Sequence, residues 1–228
     1  IGRTAGEDKD NTAKEGSYLL TSQEENLLKT VCTAFSRVIV LLNVGNIIDM
    51  KWVKKYNPAA VLYVWQGGQE GGSGVVDILT GEISPSGKLS DTIAYDIMDY
   101  PSTEGFGDPQ RAIYHEDIYV GYRYFETFSR DKVLYPFGFG LSYTDFKMEC
   151  IEFSVKESDF TEKVLVTNIG NVPGKEVIQI YAEAPQGVLG KATRSLCAFA
   201  KTKNLQPGQS ETLEFVVPFS RLSSYDDS

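Results

Sequence analysis

The chain has 228 residues, which allows one large domain or two small ones and is long enough to bury a core without staples. Apolar residues make up 42% and charged residues 23%, the balance of an ordinary globular protein and not of a disordered one. With 22 Lys and Arg against 31 Asp and Glu the net charge is −9, which argues against nucleic acid or an anionic membrane surface as a partner. The longest apolar runs, Val38–Leu42 and Ala59–Trp65, fall short of the roughly 18 residues a membrane helix needs. Ile1-Gly2-Arg3-Thr4-Ala5-Gly6 is no signal peptide and holds no initiator Met, so a piece of something longer is expected.

Up to about residue 95 helix and strand signals alternate. Thr21-Ser22-Gln23-Glu24 reads as a capping box, followed by Leu27, Leu28, Val31 and Phe35 at helical spacing. Val38–Leu42 is apolar throughout, as in a strand buried on both faces of a parallel sheet. A short helix is expected from Ile47 to Tyr56, stopped by Asn57-Pro58. Ala59–Trp65 is a second buried strand, turned by Gly67-Gly68-Gln69-Glu70-Gly71-Gly72 into a helix through Leu79 that Thr80-Gly81 ends. Lys88–Ile93 is expected as a third strand, giving an α/β class.

Residues 96–143 hold 12 of the 27 aromatics, too many for a solvated linker. They are expected to form an extended segment packed across other domains. From Tyr143 the pattern is all-β: Ile151, Phe153 and Val155 alternate with polar residues, as do Leu213, Phe215 and Val217. Turn signals fall at Asn168-x-Gly170-Asn171, Pro185-Gln186-Gly187 and Pro207-Gly208. About five strands are expected here, in a sandwich of the fibronectin III or immunoglobulin type that wants about seven.

Chemistry has few candidates. Cys32, Cys150 and Cys197 lie far apart in apolar surroundings, without Cys-x-x-Cys spacing. That argues against a disulfide framework or a zinc cluster and predicts buried free thiols, with a lean to the cytoplasm as compartment. His115 is the only histidine, which removes most metal sites; His115 and Glu116 read as structural. The glycine-rich turn fits neither Gly-x-Gly-x-x-Gly nor a phosphate loop, nor does Gly71-Gly72-Ser73-Gly74 make a nucleophile elbow. No metal or cofactor is therefore expected. Acidic residues remain. In Gly6-Glu7-Asp8-Lys9-Asp10 neighbouring negative charges disfavour ionisation, as a general acid needs, although acidic loops are also commonly just solvated. Glu70 at a helix start has the helix dipole as its ordinary explanation.

Ala60-Val61-Leu62-Tyr63-Val64-Trp65-Gln66-Gly67-Gly68-Gln69-Glu70-Gly71-Gly72, followed by Pro85-Ser86-Gly87-Lys88-Leu89, resembles the C-terminal region of glycoside hydrolase family 3. Tyr119-Val120-Gly121-Tyr122-Arg123-Tyr124-Phe125 and Tyr135-Pro136-Phe137-Gly138-Phe139-Gly140-Leu141-Ser142-Tyr143-Thr144 match two further family motifs in the right order. The resemblance implies a partial α/β sandwich with a mainly parallel sheet in residues 1–95, an aromatic-rich interdomain segment in 96–143, and a truncated fibronectin III-like domain in 144–228. It implies part of an exo-acting retaining β-glucosidase. The family's Asp nucleophile lies on a TIM barrel, which this chain lacks, so the barrel of the same parent or of a second chain is an expected partner. The expected substrate is a β-linked oligosaccharide or an aryl or alkyl glycoside.

The family's acid/base Glu lies in a Ser-Gly-Glu-Gly-x-Asp-Arg-like stretch, and Ala5-Gly6-Glu7-Asp8-Lys9-Asp10-Asn11 occupies that place. The resemblance therefore assigns the general acid/base to Glu7. Ala5, Asp8 and Asn11 depart from the pattern. Trp65–Gly72 is expected to shape a domain interface more than to touch sugar. The competing class is a non-catalytic structural or carbohydrate-binding module, which needs no nucleophile.

Overall fold

The structure is a computed structural model that describes residues 1–3 and 11–225. Thr21 starts the first helix, α1 (Ser22–Ala34), with a reciprocal cap: its side chain accepts from the Glu24 amide while the Glu24 carboxylate accepts from the Thr21 amide. There follow β1 (Ile39–Leu42), α2 (Lys51–Tyr56), β2 (Ala60–Tyr63), α3 (Gly71–Thr80), β3 (Ile93–Ala94), α4 (Tyr122–Phe128) and β4 (Val133–Tyr135). Five longer strands complete the order: β5 (Phe146–Val155), β6 (Asp159–Asn168), β7 (Val177–Glu183), β8 (Arg194–Lys201) and β9 (Ser210–Pro218). Two compact units emerge, Ile1–Val76 with Asp91–Asp117 and Arg130–Pro136, and Asp77–Ser90 with Ile118–Ser129 and Phe137–Ser228.

The first unit is the α/β part. β1 and β2 pair in parallel from Ile39↔Ala60 to Leu42↔Tyr63, and residues 1–3 continue the sheet through a parallel bridge between Gly2 and Asn43. β1 is covered on one face, not both: Val40 and Leu42 are buried while Ile39 is 52% exposed. The α1 stripe is likewise half used, with Leu28 buried and Leu27 and Phe35 exposed. α2 starts at Lys51 instead of Ile47, and Asn57 ends it in the left-handed region before Pro58. Ile48 and Met50 are buried without being helical.

The expected third strand over Lys88–Ile93 is not formed. Only Ile93–Ala94 is a strand, and it runs antiparallel to β4. Leu89 commits its backbone elsewhere, donating to the Phe139 carbonyl and accepting from the Gly138 amide, both at 2.8 Å. Nor is the aromatic-rich segment simply extended: it contains three 3₁₀ turns (Ile97–Asp99, Pro101–Thr103 and Arg130–Lys132), α4 and β4.

The second unit is the β-sandwich. β5, β6 and β9 form one antiparallel sheet and β7 and β8 pair in another, the five strands the sequence pattern suggests. Val164 and Val166 of β6, Ile178 and Ile180 of β7, and Phe215 and Val217 of β9 fill the core between them. Alternation thus places Phe215 and Val217 correctly. It fails on β5, which carries a bulge between Cys150 and Glu152: Ile151, Phe153 and Val155 are exposed.

Asn168 closes one end of this core. Fully buried, it donates to the Val172 and Leu205 carbonyls and accepts from Thr144 Oγ1 and the Gly170 amide, so its whole hydrogen-bonding capacity is used. The three cysteines are free, but only Cys197 is buried; Cys32 is half-buried and Cys150 exposed. Cys150 escapes burial because it lies on the uncovered edge strand.

Candidate functional site

Parallel α/β sheets bind ligands beyond the carboxyl ends of their strands. At that edge of β1 three hydrogen bonds fasten residues 1–3: Ile1 N to Leu41 O at 2.9 Å, Asn43 N to Ile1 O at 2.9 Å, and Arg3 N to Asn43 O at 3.1 Å. On the other side of residues 4–10, Asn11 Nδ2 donates to the Ile47 carbonyl at 2.7 Å. Glu7, the acid/base that the resemblance assigns, lies outside the described residues, as do Asp8 and Asp10. The residues flanking that stretch are both tied to the short run 43–47 that leaves β1.

Arg3 does more than extend the sheet. Its Nε donates to Ser17 O at 3.1 Å and its Nη2 to Glu24 Oε2 at 2.7 Å, while Nη1 pairs with Glu24 Oε1. Burial pushes the Glu24 carboxyl up, but Arg3 and the Thr21 amide outweigh it and hold the group below the usual carboxylate range. Residues 12–19 fold back on themselves, with Tyr18 N donating to Thr12 O and Gly16 N to Leu19 O, around Gly16 at φ +76°.

Beside this turn is a cleft of about 390 Å³, lined among others by Asn11, Tyr18, Ile47, Tyr100, Thr103 and Phe106. Tyr100 is well anchored: its hydroxyl donates to Thr92 O and accepts from the Ala94 amide, both at 2.8 Å, and burial pushes its pKa up to about 12. Tyr18 is 1% exposed and its hydroxyl has no hydrogen-bond partner among the described residues. Burial drives this phenol's pKa up, assisted by the negative charges of Asp49, Asp96 and Asp99. Asp49 is also raised by burial. A buried hydroxyl left unpaired costs about 1–3 kcal/mol. Tyr18→Phe is therefore expected to raise stability by roughly 1 kcal/mol in thermal unfolding; a comparable loss would reveal a partner for the hydroxyl.

The Trp65–Gly72 turn leaves the carboxyl end of β2. Trp65 is a non-glycine residue at φ +59°, and its ring lies 4.4 Å from that of Tyr63. A Cβ on Gly67 would come within 2.9 Å of Gly71 Cα, so the turn requires glycine there. His115 is exposed and Glu116 half-buried. Among the described residues no His, Cys, Asp and Glu cluster could hold a metal ion, and no helix is long and apolar enough to cross a membrane. Sequence reasoning missed Arg3 altogether and took Asn11 only as a departure from a motif. The capping-box Glu24 was the one local signal near them.

Comparison with known proteins gives a consistent result. The Glycosyl hydrolase family 3 C-terminal domain matches residues 1–143 and the Fibronectin type III-like domain matches residues 176–228. A beta-glucosidase of Ruminococcus albus is 53% identical over 232 residues, covering 100% of this chain and 24% of that protein. The crystal structure of a beta-glucosidase from Paenibacillus barengoltzii superposes with a TM-score of 0.96 at 56% identity, over 100% of this chain and 26% of that one. Beta-glucosidase 3B from Thermotoga neapolitana in complex with glucose gives 0.94 at 40% identity, over 99% of this chain and 32% of that one. The chain thus spans about a quarter to a third of the length of these relatives.

Proposed function

The chain belongs to glycoside hydrolase family 3, and on that premise we propose that it is part of an exo-acting retaining β-glucosidase, to which it supplies the general acid/base Glu7. The nucleophile, an Asp, belongs to a barrel domain of the same parent. Retention requires two carboxyl groups about 5 Å apart on opposite sides of the reaction. Glu7 protonates the departing glycosidic oxygen as the Asp attacks, leaving a glycosyl-enzyme intermediate. The resulting carboxylate then takes a proton from the water that opens that intermediate, so one group serves as acid and then as base. The substrate is a terminal β-linked glucose or similar sugar on an oligosaccharide, aryl or alkyl aglycone.

The observation that carries this reading is the anchoring of Arg3 and Asn11, on either side of the Glu7 stretch, at the carboxyl edge of the parallel strands. A general acid works only if held within hydrogen-bond reach of its proton acceptor, and ties at both flanks, through the Arg3 backbone amide and the Asn11 side chain, support such a mount. The cleft beside it, with Tyr100 and Phe106, offers aromatic surface to an aglycone.

The test is hydrolysis of an aryl β-glucoside by the parent polypeptide and by residues 1–228 alone. Turnover by the parent with none by the isolated chain is expected, because the isolated chain brings one carboxyl of the required two. A parent that hydrolyses no β-glycoside, together with glucoside binding by residues 1–228, would replace the enzyme by a carbohydrate-binding module.

A further inference from the structure

We propose that the cleft beside the 12–19 turn seats a second sugar ring, so that the preferred aglycone is a neutral pyranose, with Phe106 and Ser102 as the residues that select it; this rests on the β-glucosidase reading above. Every residue lining the cleft belongs to the first compact unit. At about 390 Å³ it lies at the small end of the ~300–1,000 Å³ usual for ligand pockets, room for a single ring more than for a long chain.

None of the lining residues is charged, although the chain carries 22 cationic and 31 anionic side chains. Asp49, Asp96 and Asp99 act on Tyr18 from outside the lining. An anionic guest is disfavoured by those acids, and a cationic guest meets no carboxylate in the wall to pair with. The wall has surfaces of two kinds. Tyr18, Tyr100 and Phe106 supply aromatic area. Phe106 is 61% exposed and stands between Gly105 at φ +82° and Gly107 at φ +75°. Two left-handed positions, which glycine adopts without strain, thus fix the backbone that carries this uncovered ring.

Polar groups supply the rest. Asn11 Nδ2 and Thr103 Oγ1 are spent on the Ile47 and Ile97 carbonyls, which leaves Asn11 Oδ1 and the hydroxyls of Thr12 and Ser102 uncommitted among the described residues. Tyr18 adds its buried, unpartnered hydroxyl. A pyranose matches both surfaces, with C–H groups on its faces for the aromatic rings and hydroxyls round its edge for the free oxygens. An alkyl group covers the same oxygens without pairing them, which costs binding energy.

The test takes the full-length parent enzyme with two substrates that share the glucosyl group. Cellobiose has a sugar ring as its aglycone, and methyl β-glucoside has none. Phe106→Ala is expected to lower the ratio of kcat/KM on cellobiose to that on methyl β-glucoside by roughly 10-fold, the upper range for one aromatic contact. The change should fall on KM with kcat held, because the ring is gripped alike before and during the reaction. Ser102→Ala should lower the same ratio by about 3-fold, one neutral hydrogen bond, and Phe106→Trp should preserve it. Phe106 is exposed, so its truncation leaves the core intact.

A loss shared equally by the two substrates, or a ratio that Phe106→Ala leaves unmoved, overturns the cleft as the seat of the aglycone. Calorimetry with the sulfur-linked analogue of cellobiose and with methyl thioglucoside needs no turnover and separates the two levels. If the parent hydrolyses no β-glycoside, yet Phe106→Ala weakens binding of the disaccharide alone by about 10-fold, the glucosidase reading falls and the ring-binding cleft stands. If methyl β-glucoside is hydrolysed and Phe106→Ala changes neither the ratio nor the affinity, the cleft falls and the glucosidase reading stands. With neither turnover nor selective binding, both fall.

Discussion

Glu7→Ala in the parent enzyme is expected to reduce kcat/KM on an alkyl β-glucoside by roughly 10²–10⁴-fold, the contribution usual for a positioned acid or base. That range corresponds to about 3–5 kcal/mol of transition-state stabilisation. The loss comes from one carboxyl serving two steps. In the first, the leaving oxygen departs as an alkoxide unless a proton meets it. In the second, water attacks the glycosyl-enzyme without a base to receive its proton. A substrate with an activated phenolate separates these steps. Its first step proceeds nearly unaided and its second is slow, so the variant should release a burst of phenolate and accumulate the covalent intermediate. The limb of the pH profile that reports the protonated acid should vanish together with the activity on alkyl glucosides. A loss under 10-fold, uniform across leaving groups and without a burst, would remove Glu7 from the mechanism.

What the sequence made legible is what short-range physics determines. The cap of α1 is written in Thr21 and Glu24, three residues apart, and the structure forms it. β1 and β2 form over the two apolar runs, although β2, expected to be buried, has no buried residue, and Asn57 with Pro58 stops α2 where expected. Long-range pairing is where the pattern misled. Lys88–Ile93 has the look of a strand, yet the backbone partners of Leu89 are Gly138 and Phe139, about 50 residues on, and no local signal specifies such a loop-to-loop contact. Ile151, Phe153 and Val155 alternate correctly for a core strand, but burial depends on an opposing strand and the described residues place none there. The Glu7 assignment came only through family resemblance, since an acidic loop has a plain solvated explanation. Arg3 and Glu24 are 21 residues apart, and nothing in either one's surroundings announces the other.

The loop-to-loop contact at Leu89 leads to the second large expected effect. Gly87-Lys88-Leu89 and Gly138-Phe139-Gly140 run together closely enough that a Cβ on Gly140 would overlap the Gly87 carbonyl, and Gly138 takes φ +81°. This approach carries the Lys88 ammonium to Glu176 Oε1 at 2.8 Å and to the Gly140 carbonyl at 2.9 Å. The two side chains are only 15% and 11% exposed. Glu176 is held from behind as well, its amide donating to Thr202 Oγ1 at 3.0 Å and its carboxylate accepting the Val177 amide at 2.7 Å. Lys88→Met strands a carboxylate out of water without its counter-ion, which typically costs 3–5 kcal/mol; about 3 kcal/mol is expected here. The double variant Lys88→Met/Glu176→Leu removes both charges and should recover to within about 1 kcal/mol of the parent sequence, as buried pairs replaced by apolar groups commonly do. Urea unfolding of the four chains closes the cycle, with an expected coupling of at least about 2 kcal/mol between the two sites. Additive single effects below about 1 kcal/mol each would mean that water reaches the pair after all, and that glycine packing, not the ion pair, holds these two motifs together.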